Sequence, residues 1–162
     1  MYTSYLLLLY ADDVVIFADS SQHLQSSIDR LYDYCNRWKL KINTSKSFIM
    51  IFCRRRMHTF DTWKYGDNVI PVTTHMKYLG LIFSCNGLPY QTQLKLSQQA
   101  NKAVFSLQKK LRTYKQLPVS MIVDLFDKFI APILNYGCES WGFHDAPNIE
   151  KVQLKFYKRT RS

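Results

Sequence analysis

The sequence predicts an α+β fold: a small antiparallel sheet with one packed helix, followed by a helical subdomain. Three observations predict it. Short β-prone apolar runs separated by turn residues dominate the first 89 residues. One stretch of helical spacing interrupts them. From Tyr90 onward, apolar residues recur with a period near 3.6, as an amphipathic helix requires. The expected division is therefore 1–89 and 90–162. With 47% hydrophobic residues, only 5 Gly and 5 Pro, the 162-residue chain can bury a core and is neither disordered nor collagen-like.

Each element has its own reason. Tyr5 to Ala11 and Val14 to Ala18 are almost wholly apolar, with Asp12 and Asp13 between them. Two β-rich runs around two turn formers predict a hairpin, and continuous apolarity predicts burial on both faces. Ser20 and Ser21 can cap the next helix, in which Leu24, Ile28, Leu31 and Cys35 share one face, and Trp38 reads as packing at the helix end rather than as a base-stacking platform. Lys41 to Lys46 turns the chain. Phe48 to Cys53 is a β-prone run closed by Arg54, Arg55 and Arg56. Val69 to Val72 and Tyr78 to Phe83 read as strands, with Asn86-Gly87 as a turn. In the helix over 94–114, Leu96, Ala100, Ala103, Val104, Leu107, Leu111 and Tyr114 fall on one side, with Lys95, Lys102 and Lys109 opposite. Pro118 suits the first turn of a second helix, and Pro132 should end or kink it. A third helix is expected from about Asn148 to Arg159.

The charge balance is 22 basic against 12 acidic residues, or +10. It is uneven: +3 over 1–90 and +7 over 91–162. Residues 91–117 hold six basic residues and no acid. Such a surface suits a polyanion, although a solvated helix face would look similar. The apolar run before Asp12 is too short to cross a bilayer and makes a poor signal peptide. Cys35, Cys53, Cys85 and Cys138 form no Cys-x-x-Cys pair. Free thiols in a reducing compartment, cytoplasm or nucleus, are the simplest account. A zinc site from Cys53, His58, Cys138 and His144 would need an unfamiliar spacing.

Adjacent carboxylates on a tight turn form a rigid, exposed negative cluster. Mg²⁺ is commonly held by one or two carboxylates plus substrate phosphates. Asp is also simply a good turn residue. No glycine supplies the phosphate loop of a nucleotide-binding ATPase. A phospho-acceptor receiver domain would need a helix directly after the acids and a later strand ending in Asp. Here a second strand follows, and the later run ends in Arg54.

Tyr10-Ala11-Asp12-Asp13, with its flanking apolar runs, resembles the catalytic tetrapeptide and palm hairpin of reverse transcriptases. The order of features behind it is more specific. Tyr34-Cys35-Asn36-Arg37-Trp38, Leu40-Lys41-Ile42-Asn43, Lys46-Ser47 and Ile49-Met50-Ile51-Phe52 are similar to the next palm segment of non-LTR (LINE-type) retrotransposon enzymes. Lys77 to Phe83 resembles their primer-grip hairpin. Ile133 to Gly137, followed by Trp141-Gly142, resembles a segment just beyond the palm. The likeness runs from about Tyr5 to Arg159. Two departures stand out: Lys39 replaces a glycine of many relatives, which implies a missing left-handed cap, and Ser47 replaces a commoner Thr.

The resemblance implies RNA-directed DNA synthesis with Mg²⁺, deoxynucleoside triphosphates, an RNA template and an RNA–DNA hybrid. It implies Asp12 as metal ligand, Asp13 in support, and Lys46 near the leaving phosphates. It also implies Tyr78, Leu79 and Gly80 at the primer end, and Lys95, Lys102 and Lys109 along a thumb-like helix facing the hybrid backbone. No membrane is implied. The family's site also uses an Asp from an earlier strand, whereas Asp12 is the first carboxylate of this chain. Asp19 cannot substitute, since five extended residues separate it by about 17 Å from a metal pair about 4 Å across. The expectation is thus a palm and thumb-like fragment that is incomplete as a catalyst. Its rivals are a non-catalytic nucleic-acid-binding remnant and a decayed product with an open, aggregation-prone sheet edge.

Overall fold

The computed structural model describes residues 6–53, 61–111 and 117–160. Two compact units divide between Thr74 and His75. The helical pattern starts near Tyr90, but the compact unit begins earlier, because a hairpin packs with the helices that follow it.

In the first unit, β1 (Leu6–Tyr10) and β2 (Asp13–Phe17) form an antiparallel hairpin in continuous register from Leu6↔Phe17 to Tyr10↔Asp13. Helix α1 (Ser21–Trp38) follows, with Ser20 as N-cap accepting from the His23 N–H at 3.2 Å. A 3₁₀ turn (Thr44–Lys46) leads to β3 (Ile49–Met50), which pairs in parallel with β6 (Val72–Thr73). Between them, β4 (Trp63–Tyr65) and β5 (Asn68–Ile70) make a second hairpin. The core is Ile28, Ile49, Trp63 and Ile70, with Leu24, Ile51 and Tyr65 against it.

Several local expectations change. The run Phe48 to Cys53 yields only the two-residue β3, and Arg54 to Arg56 lie outside the described residues. Val69 to Val72 splits into β5 and β6 because Pro71 has no N–H to give a ladder; its carbonyl instead accepts from Ile49 N–H at 2.9 Å. The strands form separate two-stranded pieces rather than one sheet, and one pair is parallel. The cap at Lys39 is present: φ is +55°, Lys39 N–H reaches Asn36 O, and Leu40 N–H reaches Cys35 O at 2.9 Å. That double bond is the Schellman pattern, made here by a residue that pays about 1–2 kcal/mol for the left-handed conformation.

The second unit starts with β7 (His75–Tyr78) and β8 (Leu81–Ser84), an antiparallel hairpin. Tyr78 to Phe83 is therefore two strand ends around a turn at Leu79 and Gly80, both with positive φ (+45° and +82°), and not one strand. A two-residue turn of this twist matches the twist of its strands. The turn at Gly87 is present, with Gly87 N–H bonded to Ser84 O. Helix α2 (Tyr90–Leu111) buries Leu96, Ala100 and Val104, as its period predicts; Tyr114 lies outside the described residues. Pro118 caps α3 (Val119–Phe129). The chain restarts at α4 (Ala131–Leu134) with Pro132 in its first turn, so Met121 to Leu134 is two helices. Short α5 (Cys138–Trp141) and α6 (Pro147–Thr160) complete the unit. Its core joins α2, α3, α4 and α6 through Ala100, Val104, Phe126, Ile130, Leu134, Val152 and Phe156.

Candidate functional site

The acidic pair sits at the tip of the β1–β2 hairpin. Ala11 and Asp12 form the turn, with Ala11 at φ +52°, and Asp13 opens β2 opposite Tyr10. Both carboxylates are exposed, and among the described residues neither joins an ion pair. The faces behind them are not buried as the apolar pattern suggested. Leu7, Leu8, Leu9, Val14 and Phe17 are all exposed. Among the described residues the two strands pair only with each other. Apolarity marked these strands as fit for burial, but among the described residues only α1 packs with β2, leaving Val15 and Ile16 half-buried and most of the hairpin exposed.

The donor chemistry of the tip suits Mg²⁺ in kind, since the two adjacent oxygen donors leave room for phosphate ligands. Among the described residues, no group of three His, Cys, Asp or Glu side chains could hold a metal. Asp19 is engaged elsewhere: it accepts from His23 Nδ1 at 2.7 Å across the start of α1. That bond holds the Asp19 carboxyl below the usual carboxylate range. Lys46 ends the 3₁₀ turn, exposed, and makes no ion pair with Asp12 or Asp13. A cavity of about 530 Å³ between α1 and the β4–β5 hairpin is lined by Gln25, Asp29, Tyr32, Asp33 and Lys64, among others. No site residue expected from the sequence lines it.

The β7–β8 tip is built differently. Tyr136 Oη donates to Leu79 O at 2.9 Å, and Lys95 Nζ donates to Gly80 O. Thr92 Oγ1 accepts from Ile82 N–H and donates to Ile82 O, both at 2.8 Å. A helix side chain thereby completes the ladder of an edge strand. Gly80 is required twice over: its φ is +82°, and a Cβ there would lie 3.2 Å from the Tyr136 ring. Gly137, at φ +66°, lets the chain close on Leu81.

The expected lysine stripe therefore divides. Lys102 and Lys109 are exposed, while Lys95 is half-buried and bonded to the turn. The structure joins two groups that the sequence placed apart, the Leu79-Gly80 turn and Lys95. Thr92 and Tyr136 were not expected at this turn. Tyr136 lay within the segment Ile133 to Gly137, but nothing in that segment tells which carbonyl its hydroxyl reaches.

Comparison with known proteins decides the family. The model of the family described as reverse transcriptase (RNA-dependent DNA polymerase) matches residues 2–83, or 82 of 162. The chain belongs to this reverse transcriptase family. It is 26% identical to the Drosophila melanogaster protein named "Probable RNA-directed DNA polymerase from transposon X-element", over 94% of the chain and 17% of that protein. It is 24% identical to the corresponding protein named for transposon BS of the same organism, over 92% of the chain and 17% of the relative. A transposon-derived protein of Caenorhabditis elegans is 28% identical over 91% of the chain and 52% of its own length. These relatives support the non-LTR retrotransposon branch. The chain spans about a sixth of the two polymerase relatives' length. No solved structure matches it. The reverse transcriptase family implies a polymerase-type metal dependence in general, together with an RNA template and nucleotide substrates for the parent enzyme. No helix among the described residues is long and apolar enough to cross a membrane.

Proposed function

We propose that the chain contributes the acidic turn, the primer-facing hairpin and a hybrid-facing helix to RNA-directed DNA synthesis. The two parts, palm-like over 1–89 and thumb-like over 90–162, supply these elements. The observation that carries the reading is the acidic tip: two exposed carboxylates, without an ion pair among the described residues, at the end of a five-residue antiparallel ladder. Asp12 and Asp13 would hold Mg²⁺, which when bound neutralises charge on phosphate oxygens. The ladder fixes the backbone from which both side chains project. Lys46 would stabilise charge on the leaving phosphates and can donate a proton to them.

The Leu79-Gly80 turn would sit beside the primer end. Lys95 and Tyr136 occupy its two carbonyls, so these positions cannot drift. Lys102 and Lys109 would follow the hybrid backbone, whose A-like shape can be gripped without reading bases.

The test is primer extension on an RNA template with Mg²⁺, together with hybrid binding at several salt concentrations. Because the site is incomplete, no extension by the chain alone is the expected result. Extension that Asp12→Asn abolishes would mean that a complete site forms and would contradict that incompleteness, and extension that survives Asp12→Asn would contradict the metal role. Salt-sensitive hybrid binding without extension would leave the non-catalytic reading. Replacing both Lys102 and Lys109 by Gln should lower the slope of log affinity against log salt by about 1 to 2.

A further inference from the structure

The last turn of α1 carries an exposed aromatic surface beside the buried Cys35. Trp38 is 63% exposed and Tyr34 55%, and their rings pair with centroids 6.2 Å apart. The chain's other tryptophans, Trp63 and Trp141, are 3% and 5% exposed. The expected packing of Trp38 at the helix end is thus not what the structure holds. The buried face of α1 runs from Ile28 to Cys35, which is 4% exposed, but Trp38 one turn further on is left in the open.

Charge then says what could cover this surface. Arg37, Lys39, Lys41 and Lys46 are all exposed, and residues 34–53 contain no acid. Among the described residues none of the four joins an ion pair. Asp33 lies one turn before Arg37 but does not pair with it. The Lys39 cap holds the lysine and the exposed Leu40 in a fixed turn beside the indole. Aromatic faces interleaved with uncompensated cations can stack bases while their charges follow phosphates. A duplex keeps its base faces stacked inside; only an unpaired strand offers them.

We propose that the Tyr34–Trp38 shoulder binds single-stranded nucleic acid, with a base stacked on Trp38 and phosphates on Arg37, Lys39 and Lys41. The site lies in the first unit and does not depend on the hybrid-facing role of Lys102 and Lys109.

The test uses the whole chain, an oligothymidylate of about 12 nucleotides, within the usual single-strand site sizes, and a blunt RNA–DNA hybrid. Because Trp38 is the exposed tryptophan, intrinsic emission and its quenching by acrylamide report on this surface. Oligothymidylate should shield the accessible tryptophan from acrylamide. Trp38→Ala should weaken oligothymidylate binding by about 5-fold or more, with Trp38→Phe keeping most of the affinity. Neither change should alter hybrid binding. Oligothymidylate binding by Trp38→Ala equal to that of the unaltered chain would overturn the proposal. So would a Trp38 already shielded before nucleic acid is added, in a self-associated species, since a protein surface would then occupy the site. Hybrid binding without oligothymidylate binding sinks this inference and leaves the proposed function. Trp38-dependent oligothymidylate binding without hybrid binding does the reverse.

Discussion

The β1–β2 and β7–β8 hairpins each carry a two-residue turn with left-handed backbone, yet they are held in opposite ways. The β7–β8 tip is fixed from outside by Thr92, Lys95 and Tyr136. The β1–β2 tip is held by its own ladder, and both its carboxylates face solvent. A tip whose acceptors are already filled can position a neighbour but has little left to offer chemically. A tip with two exposed carboxylates can bind a cation, and it adds little to the fold. The contrast separates a structural turn from a chemical one within a single chain.

The largest expected effect falls on the clamped hairpin. Thr92→Val strands the Ile82 N–H and C=O and should cost about 2 kcal/mol, read from the urea midpoint at unchanged slope. Lys95→Met should cost about 1–2 kcal/mol and speed amide exchange at Leu81, because Gly80 O loses a charged donor. A wild-type urea midpoint in both variants would break the comparison.

Lys39→Gly sharpens it from the other side. Relief of left-handed strain, less the glycine's added chain entropy, should stabilise the first unit by about 0.5–1 kcal/mol. Loss of stability there would mean that the lysine side chain contributes more than its backbone costs.

Tyr65 shows that the first unit is not loose away from its tip. Burial, a hydrogen bond with Cys35 and the neighbouring Cys35 and Tyr32 charges push its phenol up to about 12 from an ordinary 10.0. The folded state therefore favours the neutral phenol. That contribution is complete below about pH 10 and is lost as pH rises towards about 12. Tyr65→Phe should lose less stability than the unaltered chain across that window, with little difference at neutral pH. Identical alkaline profiles would contradict the assignment.

Much of this was legible in the sequence, for physical reasons that also mark the limit. Periodicity gave α1, the apolar face of α2 and the span of α6, because burial of one face is written into spacing. Spacing does not say whether anything lies opposite that face. Leu7 to Leu9 and Trp38 have the composition of buried residues and are exposed. The order of motifs from Tyr10 to Gly142 gave the family. It could not show that Lys95 leaves the stripe of Lys102 and Lys109, because one bond to a carbonyl fifteen residues away breaks the helical pattern. The cap at Lys39 was missed because a favourable pair of backbone bonds outweighed an unfavourable φ.

The most direct test of the two-tip account is a Mn²⁺ titration followed by paramagnetic broadening of backbone amides, with Mn²⁺ standing in for Mg²⁺. The account predicts early, selective broadening over Tyr10 to Val14, absent in Asp12→Asn, with Leu79 to Leu81 untouched. Broadening spread over the surface acids, or unchanged in Asp12→Asn, would contradict the claim that the open tip is the chemical one.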